Sequence, residues 1–147
     1  MSEVREKALA AKQTTRTLAM LTTAQKNKAL LAMAEALADR QDSILAANEE
    51  DLQCGRAEGL SSALLDRVAL NPQRIHDIAE GLRQIAELPD PVGEVLMETT
   101  RPNGLMIRQI RVPIGLIGIV YEARPNVTVD AAGLCLRTGN AVLLRGG

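Results

Sequence analysis

Small and apolar residues recur at helical spacing from the start of the chain: Val4, Ala8, Ala11, Thr15, Leu18 and Ala19 form a mildly amphipathic stripe. The pattern predicts a first helix ending near Leu21. Thr22 and Gln25 have the spacing of a capping box, and Leu30, Leu31, Ala34, Leu37 and Ala38 continue as the stripe of a second helix. A polar interruption from Asp39 to Asp42 separates it from a third, marked by Ile44, Leu45, Ala47, Asn48, Leu52 and Gln53 and stopping before Gly59. Ser61 or Ser62 can cap a short helix through Val68. Asn71-Pro72 then supplies a cap and a proline at the first helical position of a longer helix reaching about Glu87. Its buried stripe is Ile75, Ile78, Ala79, Leu82, Ile85 and Ala86.

Pro89, Pro91 and Gly93 end this pattern, and the period falls from 3.6 towards 2. Glu94 to Glu98 and Leu105 to Val112 alternate apolar with polar residues around Arg101-Pro102-Asn103-Gly104, which predicts an antiparallel hairpin with Asn103-Gly104 suited to positive φ. Leu116 to Tyr121 and Ala141 to Leu144 are apolar runs of the kind found in parallel strands covered on both faces. Val127 to Arg137, between them, is one helix long. Val112 to Gly147 therefore reads as a βαβ unit whose polar loop lies at the carboxyl end of its first strand, where α/β proteins bind ligands. The fold class is α/β: a helical segment over 1–88, then over 89–147 a β-hairpin and the start of a Rossmann-like parallel sheet. Two buried parallel strands fall short of the usual sheet of about five or six. The chain is thus expected to be truncated, to expose apolar surface and sheet edge, and to aggregate, swap domains or be marginally stable.

Composition narrows the picture. With 46% hydrophobic and 24% charged residues the chain is globular in type, but it has no Phe or Trp and a single tyrosine, Tyr121, so its core must be aliphatic. Seventeen basic residues against 18 acidic ones, a net charge of -1, create no general field for nucleic acid or anionic lipid. The charged start, MSEVREKALAAKQ, and the lack of any apolar run near the roughly 20 residues of a membrane span make a cytoplasmic location the expectation. Cys54 and Cys135 have neither CxxC spacing nor clustered histidines, which favours reduced thiols over zinc or a disulfide; no metal is expected. His76, the only histidine, lies one step off the buried stripe with no nucleophile near it in sequence, and reads as a solvated helix residue.

The candidate chemistry lies in Glu122 to Asn126, EARPN. Pro125 fixes its own φ and keeps Arg124 out of the helical region, so Asn126 is presented from a stiff loop at a helix start. Two roles suit it there: an N-cap, or an uncharged amide donor to an oxygen anion. Arg145-Gly146-Gly147 follows the second strand, where glycines let backbone approach a phosphate or ribose and an arginine can pair with an anion. The same residues could simply make a turn, and they are not a GxGxxG.

Read together, YEARPNVTVDAAGLCLRTGNAVLLRGG, with GLSSALLDRVALNPQRI and LPDPVGEV upstream, resembles the gamma-glutamyl phosphate reductase family, the glutamate-5-semialdehyde dehydrogenases of proline biosynthesis, within the aldehyde dehydrogenase superfamily. The resemblance covers nearly all of the chain. It implies NADPH-dependent reduction of L-glutamate 5-phosphate to L-glutamate 5-semialdehyde and phosphate, through a thioester on a cysteine. Asn126 matches the asparagine whose amide stabilises the oxygen anion in both steps. Glu122, Ala123, Arg124 and Pro125 match the loop under the cofactor. Arg145, with Gly146 and Gly147, stands where general aldehyde dehydrogenases carry a lysine on the adenosine ribose, which would suit the 2'-phosphate of NADPH. Arg124, two residues from Asn126, could instead meet the substrate phosphate, pair with Glu122 or lie in solvent. The family's nucleophilic cysteine belongs to a catalytic domain beyond residue 147, and Cys135, inside the helix, reads as a buried structural thiol. Residues 1–147 are then the N-terminal part of the NADP-binding domain of a longer enzyme, inactive alone. The resemblance also implies a homo-oligomer and association with glutamate 5-kinase. Two rivals remain: a complete helical interaction module that binds no nucleotide, and a related fragment acting on another aldehyde or acyl donor.

Overall fold

The computed structural model describes residues 2–122 and 124–146. Five helices come first: α1 (Glu3–Ala19), α2 (Thr23–Asp39), α3 (Gln41–Ala57), α4 (Ser62–Val68) and α5 (Pro72–Glu87). They lead into β1 (Val95–Thr100), β2 (Met106–Ile110), β3 (Leu116–Val120), α6 (Pro125–Arg137) and β4 (Ala141–Arg145). The local signals in the sequence explain most of these boundaries. At α2, Thr22 accepts from the Gln25 amide N–H while the Gln25 side chain accepts from the Thr22 N–H, a complete capping box. Ser61 caps α4, and Asn71 caps α5 through the Arg74 N–H at 2.7 Å with Pro72 directly behind it.

The core lies between α2 and α5. Leu30 and Ala34 meet Ala79, Leu82, Ile85 and Ala86, with Val129 and Leu136 of α6 packed against them. An aliphatic core needs close backbone approach, and Gly133 provides it. A β-carbon there would stand 2.7 Å from a Leu82 methyl and 3.1 Å from the Ile85 Cδ1, so α6 sits on α5 as closely as packing allows.

α6 ends in a Schellman motif: the Asn140 N–H donates to the Cys135 carbonyl and the Gly139 N–H to that of Leu136, with Gly139 at φ +70°. Asn140, buried, then accepts from the Gly115 N–H at 2.7 Å, while the Ala141 N–H reaches the Gly115 carbonyl. These bonds set β3 and β4 in parallel register from Leu116 with Ala141 to Val120 with Arg145, completing the βαβ unit.

β1 and β2 form a separate antiparallel hairpin. Its turn lies at the expected Arg101-Pro102-Asn103-Gly104. Gly104 takes the positive φ (+83°) and donates to Arg101, the Arg101 N–H returns to the Leu105 carbonyl, and Asn103 serves through its side chain, accepting from the Leu105 N–H. That is a three-residue loop with glycine at the left-handed position. The parallel strands expose apolar surface, as expected of only two strands. α1 and α6 pack on them, yet β3 is not covered on both faces: Val120 is 84% exposed, with Ile114 before the strand at 83%. An apolar run records what must be buried, and among the described residues no further helix covers this surface.

One buried ion pair ties the helices to the strand region. Lys26 is wholly buried, and its ammonium reaches both oxygens of Asp90 at 2.9 and 3.0 Å. Asp90 also accepts from the Thr23 hydroxyl and the Val92 N–H, and so sits at the start of α2, where the helix dipole favours an anion. Burial alone would push this carboxyl up; the bonds from Lys26, Val92 and Thr23 outweigh it and hold the group below its usual 3.8. A depressed folded pKa means stabilisation that is present above the ordinary carboxylate range and lost as pH falls through the folded value. Asp90→Asn strands the Lys26 charge, and should destabilise the chain by about 3 kcal/mol at neutral pH. The gap from the unmutated protein should shrink in acid, as urea denaturation at about pH 7 and about pH 3 would measure.

Candidate functional site

The site forms where β3 turns into α6. Arg124 is extended, at φ −144° and ψ 92°, and Pro125 is the first helical residue. The helix therefore begins two residues before the expected Val127. The pyrrolidine ring holds a helical φ and has no N–H to leave unpaired, so Pro starts the helix and shifts Asn126 inside its first turn. Asn126 consequently does not cap α6: the cap position belongs to Arg124, which makes no side-chain cap bond. The Asn126 amide instead donates to Asp130 Oδ2 at 3.2 Å, one turn along.

Asn126 lines a cleft of about 510 Å³ between the start of α6 and the α4–α5 connection, together with Arg124, Asp130, Arg67, Arg74 and Asp77. The connection is held rigidly. Asn48, buried in α3, donates to the Val68 carbonyl at 3.0 Å and accepts from the Leu70 N–H at 2.7 Å. The Arg74 guanidinium donates to the carbonyls of Asp66 and Ala69, both at 2.6 Å, and pairs with the Asp66 carboxylate. Arg74 is thereby committed to the fold, whereas Arg67 and Arg124 make no ion pair among the described residues. That includes the alternative of an Arg124–Glu122 pair. The cleft can thus offer a neutral amide donor and two guanidinium groups to an anion.

A second cleft of about 410 Å³ lies on the other side of the Arg124-Pro125 ridge, lined also by Asn48, Asp51, Tyr121, Thr128 and Gly146. It opens at the carboxyl ends of β3 and β4, the crevice expected for a ligand in this type of fold. The Tyr121 and Thr128 hydroxyls are hydrogen-bonded to each other across it. Gly146 passes close over Tyr121: a β-carbon at Gly146 would stand 3.5 Å from the ring.

Of the residues singled out in the sequence, Asn126, Arg124 and Pro125 meet at the first cleft, and Arg124, Pro125 and Gly146 at the second. Glu122 and Arg145 are exposed and line neither; the Arg145 guanidinium turns onto the Gly146 carbonyl. Ala123 and Gly147 lie outside the described residues. His76 is exposed on α5. Cys135 is buried, and burial pushes its thiol above the usual 9.0, the wrong direction for a thiolate nucleophile; Cys54 is exposed on α3. Among the described residues no group of His, Cys, Asp or Glu could hold a metal ion, and no helix is long and apolar enough to cross a membrane. Sequence reasoning missed Asp130 and Arg67. The first was readable, since Asn126 and Asp130 stand four apart on one helix face; the second reaches the cleft only through tertiary packing.

No protein-family model matches this chain. Individual proteins do. It is 63% identical over 145 residues to the gamma-glutamyl phosphate reductase of Moorella thermoacetica and 58% identical over 146 residues to that of a Geobacillus species, in each case over 99% of this chain and 35% of the relative. The crystal structure of the Thermotoga maritima gamma-glutamyl phosphate reductase superposes with a TM-score of 0.96 at 45% identity, covering 99% of this chain and 35% of that one. The Saccharomyces cerevisiae reductase gives 0.93 at 30% identity, over 100% of this chain and 38% of that one. The chain thus spans about a third of the length of these relatives. In sequence and in fold, from α1 to β4, it matches the N-terminal part of the gamma-glutamyl phosphate reductase family.

Proposed function

We propose that this chain forms the N-terminal part of the NADP-binding domain of an enzyme that reduces L-glutamate 5-phosphate to L-glutamate 5-semialdehyde and phosphate with NADPH, in proline biosynthesis. The observation that carries the proposal is the 63% identity to a named reductase over 145 residues, together with Asn126 standing on a proline-started helix at a cleft lined also by Arg67 and Arg124, which make no ion pair among the described residues. Residues 1–88 serve as the helical support and 89–147 as the hairpin and βαβ unit. The nucleophilic thiol comes from elsewhere in the parent enzyme, since Cys135 is buried and Cys54 lies outside both clefts; the chain alone is inactive. A cytoplasmic location, a homo-oligomer and association with glutamate 5-kinase go with this reading.

The second cleft fits part of a dinucleotide. Gly146 leaves open the space a side chain would fill beside Tyr121, and the crevice lies at the strand ends. Tyr121, Pro125, Thr128 and Gly146 would hold the cofactor there, with Glu122 and Arg145 as further contacts; the cofactor roles read for Ala123 and Gly147 fall outside the described residues. When bound, the nicotinamide supplies the hydride. The chain's own residues bind and orient. Asn126 donates from its amide to the oxygen that becomes anionic, and Arg124 meets the negative charge of the acyl phosphate. The donor is fixed before the reaction, so its reorganisation adds little to the barrier.

Three substitutions in a full-length reductase carrying this sequence test the assignment. Asn126→Ala should lower kcat by about 100- to 1000-fold, the loss typical of one oxyanion donor. Arg124→Ala should raise KM for the acyl phosphate by about tenfold or more, as expected when a charge-assisted bond is lost; an unchanged value would remove Arg124 from substrate binding. In Arg145→Ala the preference for NADPH over NADH should fall, measured as the ratio of the two kcat/KM values. A ratio equal to that of the unmutated enzyme would exclude a contact with the 2'-phosphate.

A further inference from the structure

We propose that Asp130 is a positioning residue for this site, holding the Asn126 side chain so that it presents an N–H, and not its carbonyl, to the cleft. The inference rests on the oxyanion role given to Asn126 above. An asparagine amide has two ends of nearly equal shape and opposite polarity, and an end-for-end turn would point an oxygen at a developing oxygen anion. A carboxylate can only accept, so a contact between Asp130 Oδ2 and the amide is favourable only when the nitrogen faces it, as it does at 3.2 Å. The amide nitrogen carries a second N–H, which this contact leaves available.

Asp130 is itself held in place. It lies on the same α6 face as Asn126, one turn further into the helix, where its backbone is locked by the packing of Val129 and Ala131. Its other oxygen rests over Gly81 of α5, 3.7 Å from where a β-carbon would stand. A side chain larger than alanine at position 81 would crowd that oxygen. The carboxylate is thus backed against α5 and aimed along α6. Its negative charge lines the cleft with those of Asp66 and Asp77, and the guanidinium groups of Arg67, Arg74 and Arg124 in the same lining offset it.

The test uses the full-length reductase carrying this sequence, with Asp130→Ala, the nearly isosteric Asp130→Asn, Asn126→Ala and the double variant Asn126→Ala/Asp130→Ala. The readouts are kcat and KM for the acyl phosphate. Asp130→Ala should lower kcat by about 10- to 100-fold, the scale of a misplaced reacting group, with KM changed by less than about twofold. Asp130→Asn, which keeps an acceptor oxygen, should recover most of that loss. The double variant should be no slower than Asn126→Ala alone, because two residues acting as one unit are not additive. An unchanged kcat in Asp130→Ala, a double variant slower by the product of the two single effects, or a raised KM that Asp130→Asn does not rescue would each overturn the proposal while Asn126 keeps its role. If Asn126→Ala leaves kcat unchanged, the reading of Asn126 fails, and the positioning role fails with it.

Discussion

Gly133 stands where α6 comes closest to α5, and the geometry at the start of α6 depends on that approach. A glycine inside a helix costs about 1 kcal/mol relative to alanine, so a residue chosen for helix propensity would not be glycine here. Leu82 and Ile85 lie against the bare backbone instead. Any side chain at this point would lever α6 away from α5, and the displacement would be felt about two turns earlier, at Asn126. Asp130, which meets both Asn126 and the surface of α5 over Gly81, lies between the pivot and the site. Core packing and site geometry are therefore the same contact seen at two places along one helix.

The junctions around this rod are tied by buried polar groups. Lys26 with Asp90 joins α2 to the segment after α5, Asn48 fixes the α4–α5 connection, and Asn140 sets the register of β3 on β4. Arg137 adds a fourth, donating from α6 to Asn27 of α2. Such ties add little net stability compared with well-packed apolar groups, but they are costly to break singly. Their effect is to exclude neighbouring arrangements. With no Phe or Trp, the core is built from small aliphatic side chains that could pack in several ways; directional bonds at its edges select one.

The helices and their caps were legible in the sequence because their causes are local. Thr22 with Gln25 and Asn71 with Pro72 carry their partners within three residues. The βαβ unit was legible for a similar reason, since an apolar run, one helix length and a second apolar run leave few topologies. The start of α6 was misplaced by two residues, because a backbone rule competed with a side-chain preference. Pro125 at the first helical position outweighed the capping tendency of Asn126. The ties of Lys26 to Asp90 and of Arg137 to Asn27 span 64 and 110 positions, and no local pattern announces them. The site was half legible on the same grounds: EARPN is contiguous, but the wall facing it is supplied by α4 and α5.

That opposing wall explains why the two clefts share a ridge. Arg124 and Pro125 run between them, the first extended and the second with its φ fixed by its ring. Ligands in the two clefts would share these two residues as a common wall. A mobile loop would let water enter and would need to be ordered at each turnover. A ridge stiffened by proline and continued directly into a packed helix avoids both costs. The same stiffness limits adaptation: a ligand must match the spacing of Asn126 and Gly146 as they stand, so the fit of both clefts would follow from the position of α6.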